Sequence, residues 1–258
     1  MILIRDDPDK RYTKETAFVN AVTAAGVVYS VTQACTMGVL LQCTCGRHSH
    51  NLRDQATDGQ WEWGGCGDDV NFGYKKSKQF MDRRKKQADI RTKLHLHNNE
   101  AGRLAVKQYM RTVCKCHGLS GSCTLKTCWR KMPLFRSTGH RLMKRYDAAH
   151  KVTISNDGAR LIPSLGWSSE QPSNQDLVYS SESPDYCTPN RKVGSQGTMG
   201  RLCNVTSGGT DRCELMCCGR GYHHETKLVH ENCKCQFKWC CEVHCQTCIT
   251  EKTITRCN

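Results

Sequence analysis

Apolar side chains recur along this chain first with a helical period and then with a strand period. From Thr16 to Cys35 the positions Phe18, Val22, Ala25 and Tyr29 return every three or four residues, broken only by Gly26. This predicts a helix with Phe18 and Val22 on one buried face. A second helix carries Phe72 and Phe80 and follows Asp68 and Asp69, whose carboxylates suit the free amides of a helix start. Asp89 to Arg111 forms another, with Ile90, Leu94, Ala101, Leu104 and Ala105 as its apolar face. His95 and His97, two apart, fall on different faces and are expected to pack or face solvent, not to share a metal. Pro133 to Ala149 is the last helix, turning Phe135, Leu142, Met143 and Tyr146 inward. Then Val152-Thr153-Ile154 and Arg160-Leu161-Ile162 flank the turn signal Asn156-Asp157-Gly158, a hairpin. The cysteine-free stretch from Pro163 to Asp176, rich in Ser, Gln and Pro, reads as a linker with a boundary near Gln175.

Two more strand-like stretches are bracketed by cysteines. Cys114 to Trp129 reads Cys-Lys-Cys-His-Gly-Leu-Ser-Gly-Ser-Cys-Thr-Leu-Lys-Thr-Cys-Trp, so Cys114 and Cys116 share one strand face and Cys123 and Cys128 return after a short loop. A hairpin with nested staples, Cys116–Cys123 inside Cys114–Cys128, would hold Ser120 at its tip, although Ser and Gly are also ordinary turn residues. Strict pairing of Cys116 with Cys123 sets Cys114 opposite Leu125, so the outer bond needs a bulge or a longer reach. Near the C-terminus Cys235 with Cys245, Cys233 with Cys248 and Cys240 with Cys241 share nearly one midpoint, as antiparallel partners do, which puts the adjacent cysteines at a tip. There Phe237, Trp239 and Val243 alternate with Lys238 and Glu242. A narrow hairpin offers few places to pack such a cluster back, and a binding tip is the favoured reading.

Composition explains how such a chain is held. Only 38% of its 258 residues are hydrophobic, while its 20 cysteines, an even number, can supply disulfides at roughly 2–4 kcal/mol each and require an oxidising compartment. Zinc is the rival use, but Cys-x-Cys three times, Cys-Cys twice and a single Cys-x-x-Cys at Cys245 and Cys248 do not repeat as zinc knuckles do. The net charge of +14 points to a polyanionic partner. Its densest run, Lys75-Lys76-Ser77-Lys78 and Arg83-Arg84-Lys85-Lys86, is equally a solvated face or a heparan sulfate site, with nucleic acid less favoured. Trp61 and Trp63, beside Cys66, read as packing residues, and Asn204-Val205-Thr206 is a glycosylation sequon. No segment is expected to be long and apolar enough to span a bilayer, and Met1-Ile2-Leu3-Ile4, followed at once by Arg5-Asp6-Asp7, is too short for a secretory leader.

A hydrolase centred on Ser120 is weighed and set aside. Gly118-Leu119-Ser120-Gly121-Ser122 lacks the final glycine of the nucleophile elbow, cysteines replace the flanking strand and helix, and His117 is the only local base. A matrix-bound structural protein is the other alternative, and it would be indifferent to Ser120→Ala.

Taken together, Cys114 to Trp129, Trp61-Glu62-Trp63-Gly64-Gly65-Cys66, His97-Asn98-Asn99-Glu100-Ala101-Gly102-Arg103 and Cys217-Cys218-Gly219-Arg220-Gly221 resemble the Wnt family of secreted, lipid-modified signalling proteins, in order and along nearly the whole chain. The general pattern leans to its sixth subfamily, and against it the chain looks N-terminally truncated. The resemblance implies a monounsaturated fatty acyl ester on Ser120 and an N-glycan on Asn204, without a cofactor or catalysis. It also implies the pairs Cys35–Cys43, Cys45–Cys66, Cys187–Cys218, Cys203–Cys213 and Cys217–Cys257, beside the Cys240–Cys241 bond at the tip. The expected fold is α+β and disulfide-rich: a helical domain over residues 1–165 with the acylated hairpin 114–128, a linker at 166–176, and a cysteine-rich domain at 177–258 with the hairpin 233–248. The implied partners are the Frizzled cysteine-rich domain, gripped by Ser120 and by Phe237, Trp239, Cys240, Cys241 and Val243, and a co-receptor related to the LDL receptor. A membrane O-acyltransferase, a lipid-shielding carrier and heparan sulfate proteoglycans complete the set. The expected location is extracellular, at the cell surface and in the matrix.

Overall fold

Thr13, extended at φ −89° and ψ 172°, caps the first helix, α1 (Lys14–Thr36), and accepts the Thr16 amide on its hydroxyl. The computed structural model describes residues 12–43, 45–46, 61–63, 66–82, 89–124, 126–156, 158, 160–164 and 171–258. They fall into two units, divided between Ser183 and Pro184. In the first unit α1 is followed by β1 (Trp61–Trp63), α2 (Val70–Met81), α3 (Ile90–Lys107), the hairpin strands β2 (Arg111–Cys116) and β3 (Lys126–Lys131), α4 (Phe135–Asp147), β4 (His150–Ile154), β5 (Leu161–Pro163) and β6 (Val178–Tyr179).

The buried face of α1 is made of small residues, Ala17, Ala21, Ala24, Ala25 and Val28, and not of Phe18 and Val22, which are half-buried. Close helix contact is the reason. A Cβ at Gly102 of α3 would lie 1.9 Å from the Ala21 carbonyl oxygen, and one at Gly73 of α2 would lie 2.1 Å from Thr32 Oγ1. Helix axes this near leave no room for aromatic rings between them. The rings pack at the margin instead: Phe18 meets Tyr146 of α4 edge-on at 5.8 Å, and Tyr29 meets Phe135 at 5.3 Å. Contrary to the sequence expectation, α1 is long and apolar enough to cross a membrane by length and composition alone. Its buried alanine stripe makes it the central helix of a protein core.

The motif from His97 to Arg103 turns out to build this core. Asn98, fully buried, donates to Leu94 O, Val178 O and the Tyr12 hydroxyl and accepts the Val178 amide at 3.0 Å. Arg103, 1% exposed, donates to Asp82 and Glu100, both at 2.9 Å, and Asn99 also donates to Asp82. Tyr74 donates to Glu100; burial and this carboxylate raise the phenol to about 12. Ala101 and Gly102 supply the flat surface against α1. His97, within hydrogen-bonding distance of the Asp176 carbonyl at 3.0 Å, is a packing residue, as expected, and its burial lowers its pKa.

The linker boundary moves. Leu177, Val178 and Tyr179 are buried in the first unit's core, β6 runs parallel to β4, and Arg145 holds Asp176 at 2.9 Å. Beyond them Ser180 and Ser181 donate to Tyr12 O, and Ser183 donates to Glu15 at 2.8 Å. The cysteine-rich domain was expected to begin at residue 177, but these amides and hydroxyls tie the segment as far as Ser183 to the first unit.

The second unit holds β7 (Pro189–Asn190), β8 (Ser195–Gln196), β9 (Leu202–Cys203), α5 (Cys213–Met216) and two long strands, β10 (Tyr222–Lys238) and β11 (Glu242–Cys257), with β11 between β10 and β9. Its buried hydrophobic cluster is Cys213, Cys217 and Cys257, edged by Cys203 and Met216. The sulfurs of Cys203, Cys217 and Cys257 lie within 4.8 Å of one another, but they belong to the bonds Cys203–Cys213 and Cys217–Cys257 and are not free thiolates for a metal. Cys187–Cys218 adds a third staple. The Cys217-to-Gly221 motif is the turn that makes this possible, with positive φ at Cys218, Gly219 and Gly221 and with Arg220 donating to the Asn258 carbonyl at 2.9 Å.

Candidate functional site

The first hairpin stands on a buried aspartate. Asp68 accepts from Thr36 at the end of α1 (2.8 Å) and from the Met132 amide just past β3 (2.7 Å), while its own amide donates to Arg130 O. Asp69, by contrast, is the cap of α2 and accepts the Phe72 amide at 3.0 Å. Sequence reasoning gave both aspartates the capping role; only the structure separates them. β1 adds a parallel strand to β3, Trp61 opposite Lys126 and Trp63 opposite Cys128, and the Cys45–Cys66 bond and the Gly46–Gly67 bridge join the chain before β1 to the chain after it. The Cys35–Cys43 bond closes the loop after α1.

Within the hairpin the register reverses the sequence expectation. Cys114 sits directly opposite Cys128, Cα atoms 4.0 Å apart, and the ladder ends at Cys116 opposite Lys126. Cys123 lies beyond the ladder, so the Cys116–Cys123 bond reaches from the last rung into the loop. The outer staple needs no bulge. Its Cys128 is buried, whereas the tip is fully in solvent.

Between the inner cysteines the chain makes one short 3-10 turn, Leu119–Gly121, with Ser120 in the left-handed region at φ 56°, ψ 26° and Gly121 at φ 77°. A non-glycine residue there costs on the order of 1 kcal/mol. The Gly118 amide donates to Ser122 O at 2.8 Å, and a Cβ at Gly118 would strike Ser122 and Thr124, so only glycine closes this loop. Ser120 is exposed, and its hydroxyl has no hydrogen-bond partner among the described residues. Leu119 beside it is 93% exposed. His117 is exposed as well.

The second hairpin is longer than expected, beginning at Tyr222 opposite Cys257. Between Cys233 and Gln236 its register shifts, marked by Lys234 at φ 46°. Cys233 faces Gln246, so the Cys233–Cys248 bond crosses the ladder diagonally, while Cys235–Cys245 closes the bulge with Cα atoms 4.0 Å apart. Phe237 lies opposite Val243, both exposed, and Trp239 in the turn is 93% exposed, which excludes packing back on the domain. One pairing is corrected. Cys240 and Cys241 are free thiols with Sγ atoms 3.2 Å apart. Adjacent residues can bond only through a small ring containing their shared peptide, and the turn, with φ 70° and 92°, sets the sulfurs side by side short of it.

Asn204 is exposed on a loop, and its Oδ1 accepts from both the amide and the hydroxyl of Thr206 at 3.0 Å, leaving the amide nitrogen free of protein partners among the described residues. Of the basic run, Lys75 and Lys78 line an open depression with Gln79 and Asp82; Arg83 to Lys86 lie outside the described residues, as do Leu125 and Asp157.

The Wnt family profile matches residues 6–258. The chain belongs to the Wnt family. It is 49% identical to human and mouse Protein Wnt-6 over 263 aligned residues, covering 95% of this chain and 72% of each relative, in keeping with the lean to the sixth subfamily. Protein Wnt-2b-A of Xenopus laevis is 46% identical over 95% of this chain and 69% of its own length. Among solved structures, a chain in that of human WLS in complex with WNT8A superposes with a TM-score of 0.71 at 38% identity, covering 95% of this chain and 78% of that chain. This Wnt is therefore a signalling ligand of a secreted, developmental family and not an enzyme, and its α+β fold, with nine disulfides among the described residues, is the Wnt fold. Its family motifs divide by role. The tips of the two hairpins are exposed, whereas the His97 and Cys217 motifs, just as prominent in the sequence, are scaffold. Asp68 carried no distinct signal, because nothing in its neighbours says which amide it will meet.

Proposed function

We propose that this Wnt binds the cysteine-rich domain of Frizzled receptors through a monounsaturated fatty acyl ester on Ser120. The tip formed by Phe237, Trp239 and Val243, with Cys240 and Cys241 in its turn, makes a second contact, and a co-receptor related to the LDL receptor is recruited to start signalling. The observation that carries this reading is Ser120: exposed, in a left-handed conformation, unpartnered among the described residues, at the end of a loop closed by two disulfides. Such a hydroxyl is accessible to a membrane O-acyltransferase, and its ester would leave the fold undisturbed.

The lipid dominates the energetics. Burying about a dozen methylenes at ~0.8 kcal/mol each contributes roughly 10 kcal/mol gross, against an association cost of ~4–15 kcal/mol. The aromatic tip then supplies orientation and selectivity, since Trp239 and Phe237 on a stapled turn lose little freedom on docking. An exposed acyl chain requires a carrier in transit; the WLS partner of the WNT8A neighbour supports one here. The Asn204–Thr206 geometry supports an N-glycan, and Lys75 and Lys78 support heparan sulfate, which with the lipid would keep the ligand at the cell surface and in the matrix.

The test is the intact mass of the Ser120 peptide from secreted protein, with receptor-domain binding measured beside it. An added monounsaturated acyl mass, absent from Ser120→Ala along with binding, is the expected result. Unmodified Ser120 in folded, receptor-binding protein would overturn the reading.

A further inference from the structure

β10 ends its sheet. In the order β10-β11-β9 one edge of β10 has no strand beside it among the described residues, and most of its 17 residues are exposed. Soluble proteins blunt so long an edge with proline, a bulge or charges that repel an identical strand. Tyr222 to Lys238 contains no proline, and its register shift begins only at Cys233, so the ladder from Tyr222 to Cys233 is regular. Nor do its charges repel a copy of themselves: Glu225, Lys227 and Glu231 share one face and differ in sign, with Val229 between the last two.

Within the hairpin these charges are unevenly matched. Lys227 lies directly opposite Lys252, a like-charged pair across the ladder. Each lysine draws on one carboxylate of the same face, Lys227 on Glu225 at 3.4 Å and Lys252 on Glu231, while Glu225 also holds Arg256 at 3.0 Å. A second carboxylate beside Lys227 would even the balance, and an identical strand laid antiparallel along the free edge supplies it. A twofold axis normal to the sheet keeps every side chain on its own face, so one residue faces its own copy on the axis. With Val229 there, Lys227 of each copy meets Glu231 of the other, and the paired segment, Glu225 to Cys233, stays within the regular ladder. With Leu228 there, Glu225 would meet Glu231; with Thr226 there, Lys227 would meet a Glu225 that Arg256 already neutralises. We infer that β10 is a self-association edge, on which two copies of this chain pair antiparallel about Val229 into one continuous sheet, independently of any acyl group. Main-chain hydrogen bonds hold the strands, and the two Lys227–Glu231 pairs set register and partner. The two hairpin tips then lie at opposite ends of the joined sheet.

The test is sedimentation velocity of the full chain as Ser120→Ala, which keeps a fatty acyl group from driving association, over a concentration series reaching the solubility limit. A reversible monomer–dimer equilibrium is expected. Lys227→Glu and Glu231→Lys should each weaken it by about tenfold or more, because attraction becomes repulsion at two symmetric places. An equimolar mixture of the two variants should dimerise at near-parental strength, since every contact between positions 227 and 231 then joins opposite charges. Both side chains are partly exposed, so an intact Cys233–Cys248 bond and an unchanged circular dichroism spectrum verify the fold of each variant. A parent that stays monomeric throughout would overturn the proposal and leave the edge to a strand of another protein. Folded variants whose mixture does not recover the dimer would overturn it too. A dimer that neither reversal weakens, or that only Lys227→Glu weakens, does so equally, the latter by placing Thr226 on the axis.

Discussion

The two units of this Wnt reach stability by opposite routes. In the first, residues 12–183, alanines, glycines and valines let helices approach closely around a few buried polar side chains, and the four disulfides lie at the end of α1, in its loops and in the hairpin. In the second, residues 184–258, the buried hydrophobic cluster is itself cystine, and β10 and β11 expose most of their side chains to water. The lesson is that a core and a covalent framework are alternative ways to offset chain entropy. Each unit carries one stapled hairpin with an exposed tip.

This contrast can be broken most sharply at Arg103. Arg103→Ala empties a fully buried guanidinium site and leaves the partly exposed Asp82 and Glu100 without their cation, and should destabilise the first unit by about 3 kcal/mol, read by denaturant unfolding, while peptide mapping still finds the five disulfides of the second. Removing the Cys217–Cys257 bond by paired alanine substitutions should cost the second unit about 2–4 kcal/mol, seen as faster amide exchange along β11, with α1 and α3 unchanged. Gly102→Ala sharpens the first half of the comparison. Its methyl group would meet the Ala21 carbonyl, so a loss of about 1–3 kcal/mol is expected, whereas Gly139→Ala, which meets open space, should not destabilise α4.

Smaller still is the pH response of His97. Burial lowers its pKa despite the opposing pull of Asp176 and Glu100, so in the unfolded chain the ring takes up a proton at a higher pH than in the fold. Stability from neutral His97 is present above pH ~6.5 and is lost as pH falls below that value toward the folded pKa. Unfolding titrations of the protein and of His97→Gln should diverge in that window. At the bottom of the scale, Trp239→Ala should change the stability of the second unit by no more than about 0.5 kcal/mol while weakening Frizzled binding by about 2 kcal/mol or more. A large stability loss would show that the tip is scaffold after all.

Periodicity and cysteine spacing made much of this legible. The helices starting near Thr16, Val70, Asp89 and Pro133, the Gly158 turn and both stapled hairpins lie where the local pattern puts them, because each depends on residues within a few positions of one another. Ser120 at an exposed tip was equally readable, since its two glycines permit little else. The long-range choices were not. Phe18 looked like a core residue because size and period say so, but only the approach of Gly102 and Gly73 from other helices decides that alanine takes the axis. Leu177 to Tyr179 were expected to open the cysteine-rich domain, but Asn98, some eighty residues earlier, supplies hydrogen bonds that bury them in the first unit.

By itself, the sequence determined where this chain bends, where it is stapled and which side chains stand at the tips, because turn angles, strand alternation and cysteine spacing are local properties. Tertiary structure alone decided that Cys114 faces Cys128 squarely, that Cys233 reaches diagonally across a bulge, that Cys240 and Cys241 lie side by side as unbonded thiols, and that Asp68 joins α1 to β3. Each of these depends on the register or closeness of segments that meet only when the core or the cystine framework closes. Distances of that kind are set by packing, which no local pattern encodes.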